Sequence, residues 1–360
     1  MPKNYTYTDA GVNRKQRTES KKALTTLKET YKHSGFGGVM HLPYGNIFPI
    51  AENTFLDLVI EGVGTKVLVA ELAQKYDTIG IDAVAMAVND VIRSGAKPLA
   101  VADNIHAQAS EPKLVNAWLK GIIQGAHESE CPVTGGETGD VAEIIKGIVD
   151  GAGFDMVVAS VGKVERQELI TGEGIKPDDP IIGLASSGLH SNGITLARKI
   201  LFKQWGGKYQ PTDIPEGLER EIALEVLEPT KIYVKPLLKL AREVKVKAAV
   251  HITGDAYTKF NNLANYSHGI GFEFNNFKSH PIFGLIQKTA SELGYAIADE
   301  EMFKTFNMGW GFGIIVDKSD IDKAMNTLEQ DSVNPERIGK VTNKERVVEV
   351  VYRNKHMVLT

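Results

Sequence analysis

The chain has 360 residues, enough for about two domains with a core in each. A net charge of -4 and a pI near 6.2 argue against a broad nucleic-acid or membrane surface, so we expect neither partner. Cys131 is the single cysteine, and the N-terminal segment has no apolar signal region, so we expect a cytoplasmic protein without disulfides.

Residues 1 to 33 are polar and basic, which predicts a solvated N-terminal arm. A glycine-rich loop follows it, with Gly35, Gly37 and Gly38 just before an apolar pair. Glycines let backbone amides approach an anion closely, although they also make ordinary turns.

The segment Thr54 to Ile60 predicts a strand, and residues 67 to 75 predict a helix. Between them lies a turn containing Gly62, Gly64, Thr65 and Lys66. A strand, a glycine turn and a helix N-terminus suit phosphate binding. A tight turn with a surface lysine is an equal alternative, because the Walker spacing is absent.

The segment Ile81 to Pro98 predicts a helix that is apolar on nearly every side, and such helices are buried. It nevertheless carries Asp82, Asn89 and Asp90. A buried carboxylate is costly unless it is paired, hydrogen-bonded or bound to a cation. The sequence therefore predicts partners for these side chains elsewhere in the fold.

Glycines also surround an acid at Gly135, Gly136 and Glu137, where we expect a strand to end. Glu61, Asp90 and Glu137 thus occur at or near predicted chain reversals. Three oxygen ligands on separate elements suit Mg²⁺ held jointly with nucleotide phosphates, whereas any one alone is more often a cap or a surface acid.

The second half begins after a polar stretch near residue 165, so we predict domains at 1–165 and 166–360. Strand 180–185 leads to a polar cluster that contains Ser187, Gly188, His190 and Asn192 at a helix start. These residues cap the helix or contact a ligand, and their density favours the ligand. His251 lies on a later strand, and the interleaved helices and strands indicate an α/β or α+β fold.

Together these segments resemble the phosphoribosylformylglycinamidine cyclo-ligase (aminoimidazole ribonucleotide synthetase) family over nearly the whole chain. Each motif alone is weak, but the set in this order is specific. The matching stretches are residues 7–12, 35–38, 62–66, 78–82, 89–90, 135–138, 186–193, 229–234, 251–254 and 305–309.

The resemblance implies an α+β fold of two domains, in which the N-terminal sheets of a homodimer pair into a shared barrel. It implies that ATP phosphorylates the formyl oxygen of formylglycinamidine ribonucleotide, after which an amidine nitrogen closes the imidazole ring. ATP and Mg²⁺ are the expected cofactors, and aminoimidazole ribonucleotide of de novo purine biosynthesis is the expected product.

The resemblance also gives the expected site residues. The catalytic set is Lys66, Asp90 and His190, and the metal set is Glu61, Asp90 and Glu137. The substrate is expected at Gly35, Gly37, Gly38 and His251. ATP is expected at Gly62, Gly64, Thr65, Asn89, Gly135, Gly136, Ser187, Gly188 and Asn192.

This chain departs from the family pattern in three places. Glu61 stands where an aspartate is usual, Gly139-Asp140 replace an alanine-glutamate pair, and Asp255 replaces a glycine. An active-site lysine of the arm is not assigned among Lys21, Lys22 and Lys28.

The relatives that share this architecture include selenophosphate synthetase, thiamine-monophosphate kinase, a hydrogenase-maturation protein and formylglycinamidine ribonucleotide synthetase. Selenophosphate synthetase usually has a reactive cysteine in its N-terminal glycine-rich segment, whereas Cys131 lies elsewhere. The large synthetase that makes the amidine needs a longer chain or partner subunits. Thiamine-monophosphate kinase is the best enzymatic alternative, and a scaffold that binds ATP without turnover is the alternative from a different class.

Overall fold

The computed structural model describes residues 2–277, 280–331 and 333–359. Its strands are β1 Lys3–Asn4, β2 Met40–Leu42, β3 Gly45–Pro49, β4 Thr54–Gly62, β5 Lys97–Ala107, β6 Val133–Asp140, β7 Phe154–Glu165, β8 Pro180–Ala185, β9 Val246–His251, β10 Gly271–Phe274, β11 Tyr295–Ala296, β12 Trp310–Val316, β13 Pro335–Thr342, β14 Val348–Tyr352 and β15 Lys355–Leu359.

The α-helices are α1 Arg14–Lys21, α2 Lys66–Ala73, α3 Ile79–Val91, α4 Pro112–Ser129, α5 Ile194–Leu201, α6 Ile222–Val226, α7 Val234–Glu243, α8 Pro281–Glu292, α9 Asp299–Thr305 and α10 Ile321–Glu329. Short 3-10 helices also occur, including Lys22–His33, Ile92–Ser94 and Ala256–Asn265. No helix of the described ranges is both long and apolar enough to cross a membrane.

Two mixed sheets organise the fold, which confirms the predicted α+β class. The N-terminal sheet has the order β2-β3-β4-β7-β5-β6, and only β5 and β6 run parallel. The C-terminal sheet has the order β15-β14-β10-β13-β8-β12-β9. A third, two-stranded pairing joins β1 to β11, so the chain's first strand lies against its second half.

Helix α3 lies at the centre of the molecule, and all 13 of its residues are buried. One side packs on β4, β7 and α4. Glycines allow the close approach of α4: a Cβ on Gly80 would lie 2.3 Å from the backbone nitrogen of Ile122. The prediction of a helix buried on every side is confirmed, because the sheet covers one face and the C-terminal half covers another.

Strand β4 has a buried inner face and an exposed outer face, because successive side chains point to opposite sides of a sheet. Phe55 and Asp57 point inward and are buried. Leu58 and Ile60 point outward and are 63% and 69% exposed. The outer face of the N-terminal sheet is therefore apolar and uncovered within this single chain.

Candidate active site

Helix α3 directs a row of polar side chains at the C-terminal half of the chain. Asp82, Asn89 and Asp90 recur at intervals of seven and eight residues, which places them on one side of a helix. Each meets partners beyond residue 185. The prediction that these buried groups need partners is confirmed, and each group finds at least one of them in the C-terminal half.

Asp82 forms a fully buried ion pair with Lys66. The Lys66 Nζ lies 2.9 and 2.8 Å from the two carboxylate oxygens, and it also donates to the carbonyl oxygen of Glu228 at 2.7 Å. The Asp82 Oδ1 accepts from the backbone N–H and the hydroxyl of Thr230. Burial lowers the pKa of Lys66, and the Asp82 carboxylate opposes that shift.

This ion pair gives Lys66 a structural role in the fold. Its side chain has 0% exposure, and its close partners all belong to the protein. Lys66 thus has no exposed surface, and its predicted contact with a transferring phosphoryl oxygen stays a prediction. Lys66 holds α2 and α3 against the loop that follows α6.

Asn89 is also a structural contact in this fold. Its Nδ2 donates to the carbonyl oxygen of Lys231 at 2.8 Å, and its Oδ1 accepts from the N–H of Tyr233 at 2.9 Å. The side chain is fully buried. Both ends of the amide therefore join α3 to the C-terminal half, and the predicted contact of Asn89 with ATP stays a prediction.

The Asp90 carboxylate lies between two groups that donate to it. Nδ1 of His251 lies 2.8 Å from Oδ1, and Nη2 of Arg93 lies 2.8 Å from Oδ2. Burial pushes the pKa of Asp90 upward, but Arg93 and His251 together hold it well below its ordinary value. Burial lowers the pKa of His251, and Asp90 opposes that shift. Asp90 is therefore an anion at neutral pH.

A cavity of about 640 Å³ opens beside this carboxylate. Glu61 and Asp57, both on the inner face of β4, line it together with Asp90. Burial, followed by the charge of Asp90, raises the pKa of Glu61 to about 7. Burial also raises the pKa of Asp57 to about 6. Most of the remaining wall is apolar or aromatic and includes Leu42, Tyr44, Phe48 and Leu263.

Lys259 brings a cation to the acidic site from the C-terminal half. Its Nζ donates to Oγ1 of Thr253 and to the carbonyl oxygen of His251, the latter at 3.3 Å. Burial lowers the pKa of Lys259 to about 8, while the Asp90 charge acts in the opposite direction. Sequence analysis missed Lys259 because it lies outside every motif, in a 3-10 helix that only folding brings to Asp90.

His190 lies near both Lys66 and His251, between the two buried clusters. Its Nε2 accepts from the N–H of Ser187 at 3.1 Å. Nδ1 is buried without a hydrogen-bond partner in the part of the chain that the structure describes. Burial, and then the nearby positive groups, keep the pKa of His190 well below 6.5. A neutral His190 thus carries its proton on Nδ1, and its catalytic role stays a prediction.

Gly311 makes room for this histidine. A Cβ at that position would lie 2.5 Å from Cε1 of His190 and 2.1 Å from the hydroxyl oxygen of Tyr233. The β12 strand therefore needs glycine here, since a side chain would displace both rings.

Two turns meet at the cleft between the halves. The Thr65 hydroxyl lies 2.8 Å from the Thr195 hydroxyl, which joins the glycine turn before α2 to the start of α5. The Ser187 hydroxyl donates to the carbonyl oxygen of Pro229 at 2.5 Å. The first contact brings Thr65 to the start of α5, close in sequence to Asn192, and the ATP contacts predicted for Gly62, Gly64, Thr65, Ser187, Gly188 and Asn192 stay predictions.

The glycine-rich loop lies in an exposed turn between the 3-10 helix Lys22–His33 and β2. Tyr31 and Val39, on either side of the loop, line the cavity. Gly35, Gly37 and Gly38 are thus close in sequence to residues of the cavity wall. The expectation that these glycines and His251 contact substrate stays a prediction.

Glu137 points away from the other two predicted metal ligands. On β7, the cross-strand row through Glu61 passes Val158, whereas the row through Glu137 passes Val157. Neighbours along a strand point to opposite faces, so the two glutamates lie on opposite sides of the sheet. In residues 2–277, 280–331 and 333–359 no group of three metal-ligating side chains occurs. The three carboxylates therefore do not converge within one chain, and a metal at Glu61 and Asp90 stays a prediction.

Gly135 and Gly136 lie inside β6, not in a turn. The reason is packing on the neighbouring strand: a Cβ on Gly136 would lie 2.5 Å from Oδ1 of Asp103. Since β6 is an edge strand three positions from β4, these glycines are separated from the turn at Gly62.

Two domain families account for the two sheets. The "AIR synthase related protein, N-terminal domain" matches residues 46–164, and the corresponding C-terminal domain matches residues 176–352. The fold and the cleft between its halves therefore define a two-domain protein of the AIR synthase related class.

Full-length relatives identify the family within this class. A Pyrococcus horikoshii protein named phosphoribosylformylglycinamidine cyclo-ligase is 36% identical over 348 residues, covering 96% of this chain and 97% of that protein. A Bacillus pumilus protein of the same name is 37% identical over 348 residues, with 95% and 96% coverage. The chain belongs to the phosphoribosylformylglycinamidine cyclo-ligase family and is a ligase.

A solved structure of the hydrogenase maturation protein HypE in complex with ATP is similar in fold. Its TM-score is 0.58 at 14% identity, and the match covers 97% of this chain and 95% of that one. At this identity the likeness supports the two-domain fold alone.

Proposed function

We propose that this protein catalyses ATP-dependent cyclisation of formylglycinamidine ribonucleotide to aminoimidazole ribonucleotide in purine biosynthesis. One observation carries the proposal: full-length relatives named for this reaction match both halves, so the whole cleft lies inside the match. HypE, which shares the fold, has been solved with ATP, and this supports the cleft as the nucleotide site.

The reaction needs anions held in place and compensated in charge more than it needs a covalent nucleophile. Arg93 and His251 already bond to Asp90. This leaves the Lys259 ammonium and the Nδ1–H of the neutral His190, which is unpartnered among the described residues, as further donors in this region. We assign them to the phosphoryl oxygens and to the amide oxygen being activated. The glycine-rich loop excludes water, because an activated imidate would otherwise hydrolyse.

Glu61 and Asp90 fit a Mg²⁺ ion. Burial and then the charge of Asp90 raise the pKa of Glu61, and a divalent cation beside the two carboxylates would offset both effects. Mg²⁺ is typically bound by one or two carboxylates together with substrate phosphates and water, so a third protein ligand is not required. When bound, the ion supplies charge neutralisation on the phosphates.

We further propose that the enzyme is a homodimer whose N-terminal sheets face each other, and that it acts in the cytoplasm, where its nucleotide substrates are made. The exposed outer face supports the dimer. Ile60 pairs with Ala159 and Leu58 pairs with Val161 on that face, an apolar patch that a second sheet would cover. Glu137 lies on the same face, so it would lie next to the partner protomer in such a dimer.

Light scattering tests the dimer. Ile60→Lys should convert the protein to monomers, because it buries a charge in the proposed interface. Leu119→Lys is the matched control, since Leu119 is an exposed apolar residue on α4, away from this face. A wild-type monomer at micromolar concentration would contradict the dimer.

We propose the domain boundary after residue 165. The N-terminal sheet ends there with β7, and the two matching family domains end at 164 and begin at 176. The β1 pairing with β11 means that the first residues accompany the C-terminal domain in space.

One assay tests the catalytic proposal. Purified protein is incubated with ATP, Mg²⁺ and either formylglycinamidine ribonucleotide or thiamine monophosphate, and ADP and product are followed. Turnover with the first substrate alone is expected. Turnover with only the second would identify a kinase, and ATP binding without turnover of either would identify a scaffold.

A further inference from the structure

The tip of the β2–β3 hairpin contacts both halves of the acidic site. Tyr44 lies in the two-residue turn between these strands. Its hydroxyl donates to the carbonyl oxygen of Lys259 at 3.2 Å. On its other side, the Arg93 guanidinium carbon lies 5.4 Å from the centre of the Tyr44 ring, a cation–π distance. The hairpin is thus anchored to the C-terminal half and to the end of α3.

Arg93 makes several contacts at once. Its Nη2 lies 2.8 Å from the Asp90 carboxylate, and its Nε donates to the Asp90 carbonyl oxygen at 2.9 Å. Nη2 also lies 3.4 Å from the carbonyl oxygen of Tyr44. The side chain is 11% exposed. A planar guanidinium with five donors can make this set of contacts, whereas a lysine ammonium cannot also stack on the ring.

The glycine-rich loop adjoins the hairpin. That loop precedes β2 directly, and a Cβ on Gly37 would lie 3.9 Å from the Pro49 ring on β3. The loop is thus continuous with the first strand of the hairpin and lies close to the last residue of the second.

We propose that Arg93 is a positioning residue: it holds the β2–β3 hairpin in place and at the same time orients the Asp90 carboxylate. Tyr44 is the second residue that holds the hairpin in place. The inference rests on the proposed function, because it assigns the hairpin and its loop to closure over the reacting ribonucleotide. Neither Arg93 nor Tyr44 belongs to the motifs on which the family resemblance depends.

Steady-state kinetics test the coupling to Asp90. Arg93→Gln should lower kcat at least 10-fold and change the KM for ATP less than 3-fold, because the carboxylate remains but loses its orientation. Arg93→Lys should recover part of the kcat, since it restores the ion pair without the ring contact. Arg166→Gln is the matched control: Arg166 stacks on Phe55 at 4.8 Å and bonds to Asn53 at a distant turn. Its kcat should stay within twofold of wild type.

Hydrogen exchange tests the seating of the hairpin. Amides of residues 40–49 should exchange at least 3-fold faster in Arg93→Gln and in Tyr44→Phe, and at the wild-type rate in Arg166→Gln. Tyr44→Phe removes only the hydroxyl contact with Lys259, so it decides the question if Arg93→Gln fails to fold.

Unchanged exchange in Tyr44→Phe, or a kcat within twofold of wild type in a folded Arg93→Gln protein, would overturn the inference. An inactive wild-type protein would instead contradict the proposed function. The exchange rates would then still show whether Arg93 and Tyr44 seat the hairpin.

Discussion

The two ends of α3 carry the same chemical group in two different settings. Asp82 and Asp90 are eight residues apart, about 12 Å along the helix, and both are buried against the C-terminal half. Asp82 has its hydrogen-bond partners and its counterion inside the protein. Asp90 faces a cavity and a second carboxylate, Glu61.

This difference separates a structural acid from one available for chemistry. A buried ion pair with all its partners holds the fold, and removing one partner leaves an uncompensated charge. Asp90 is paired with Arg93 and His251, whereas burial and then the Asp90 charge raise the pKa of Glu61 beside it, and perturbed acids that line a cavity are typical of functional sites. Burial by itself therefore does not identify a catalytic residue; the location of its partners does.

Asp82→Ala should produce the largest loss of stability. The Lys66 ammonium would remain buried without its counterion, at a cost of about 3 to 5 kcal/mol in the free energy of unfolding. Urea titration followed by circular dichroism measures the change. An Asp82→Ala protein of wild-type stability and no activity would show that this end of α3 takes part in the reaction.

Asp90→Asn should instead lower turnover by about 100- to 1,000-fold, the usual size for loss of one electrostatic group in an active site. Its unfolding free energy should fall by less than that of Asp82→Ala, because asparagine keeps an acceptor oxygen beside Arg93 and His251 and the loss of charge relieves repulsion with Glu61. ADP release and urea titration of the same preparation measure both quantities. Equal losses in both would make Asp90 a structural residue as well.

Gly311→Ala should lower the free energy of unfolding by about 1 to 3 kcal/mol, because its methyl group would overlap His190 and Tyr233. Gly284→Ala is the control, since that glycine lies in α8 with open space around it and should be neutral or slightly stabilised. Thermal unfolding compares the two variants. Similar melting temperatures for both would contradict the packing at Gly311.

Of the effects on stability, that of His190→Asn should be the smallest, and it should be visible as a change in the pH dependence of unfolding. A histidine kept neutral in the folded state but protonated when unfolded loses stability as pH falls below about 6.5, by up to about 1.4 kcal/mol per pH unit. The variant should weaken that slope between pH 7.5 and 5.5, though not abolish it, since His251 acts in the same direction. Asparagine suits the backbone φ of 61° at this position. Identical slopes would contradict a neutral, buried His190.

Much of the fold could be predicted from local patterns. The strand Pro180–Ala185 and the helix Ile194–Leu201 occur where the sequence predicts them, because each has a continuous apolar run or a clear helical period. The β2–β3 hairpin and β15 were missed, since short strands with polar residues have no such period. Gly135–Gly136 were wrongly placed in a turn because glycine in a strand reflects packing on the next strand, which local sequence does not show.

The site was only partly predictable. The sequence correctly indicated that Asp82 and Asp90 need partners, since an acid in an apolar helix is costly alone. It did not indicate which partners they find, so the ion pair of Lys66 with Asp82 was not predicted, and Arg93 and Lys259 were missed. Glu137 was grouped with Glu61 because both lie beside glycines, although strand register places them on opposite faces.

By itself the sequence determined the α+β class, the buried character of α3 and the family, because these depend on residue pattern along the chain. Tertiary structure alone decided that the Asp82 carboxylate is enclosed by protein groups, whereas the Asp90 carboxylate lies beside a cavity. The reason is physical: the free energy of a buried charge depends on groups contributed by segments more than 100 residues away, such as Thr230 for Asp82 and His251 for Asp90.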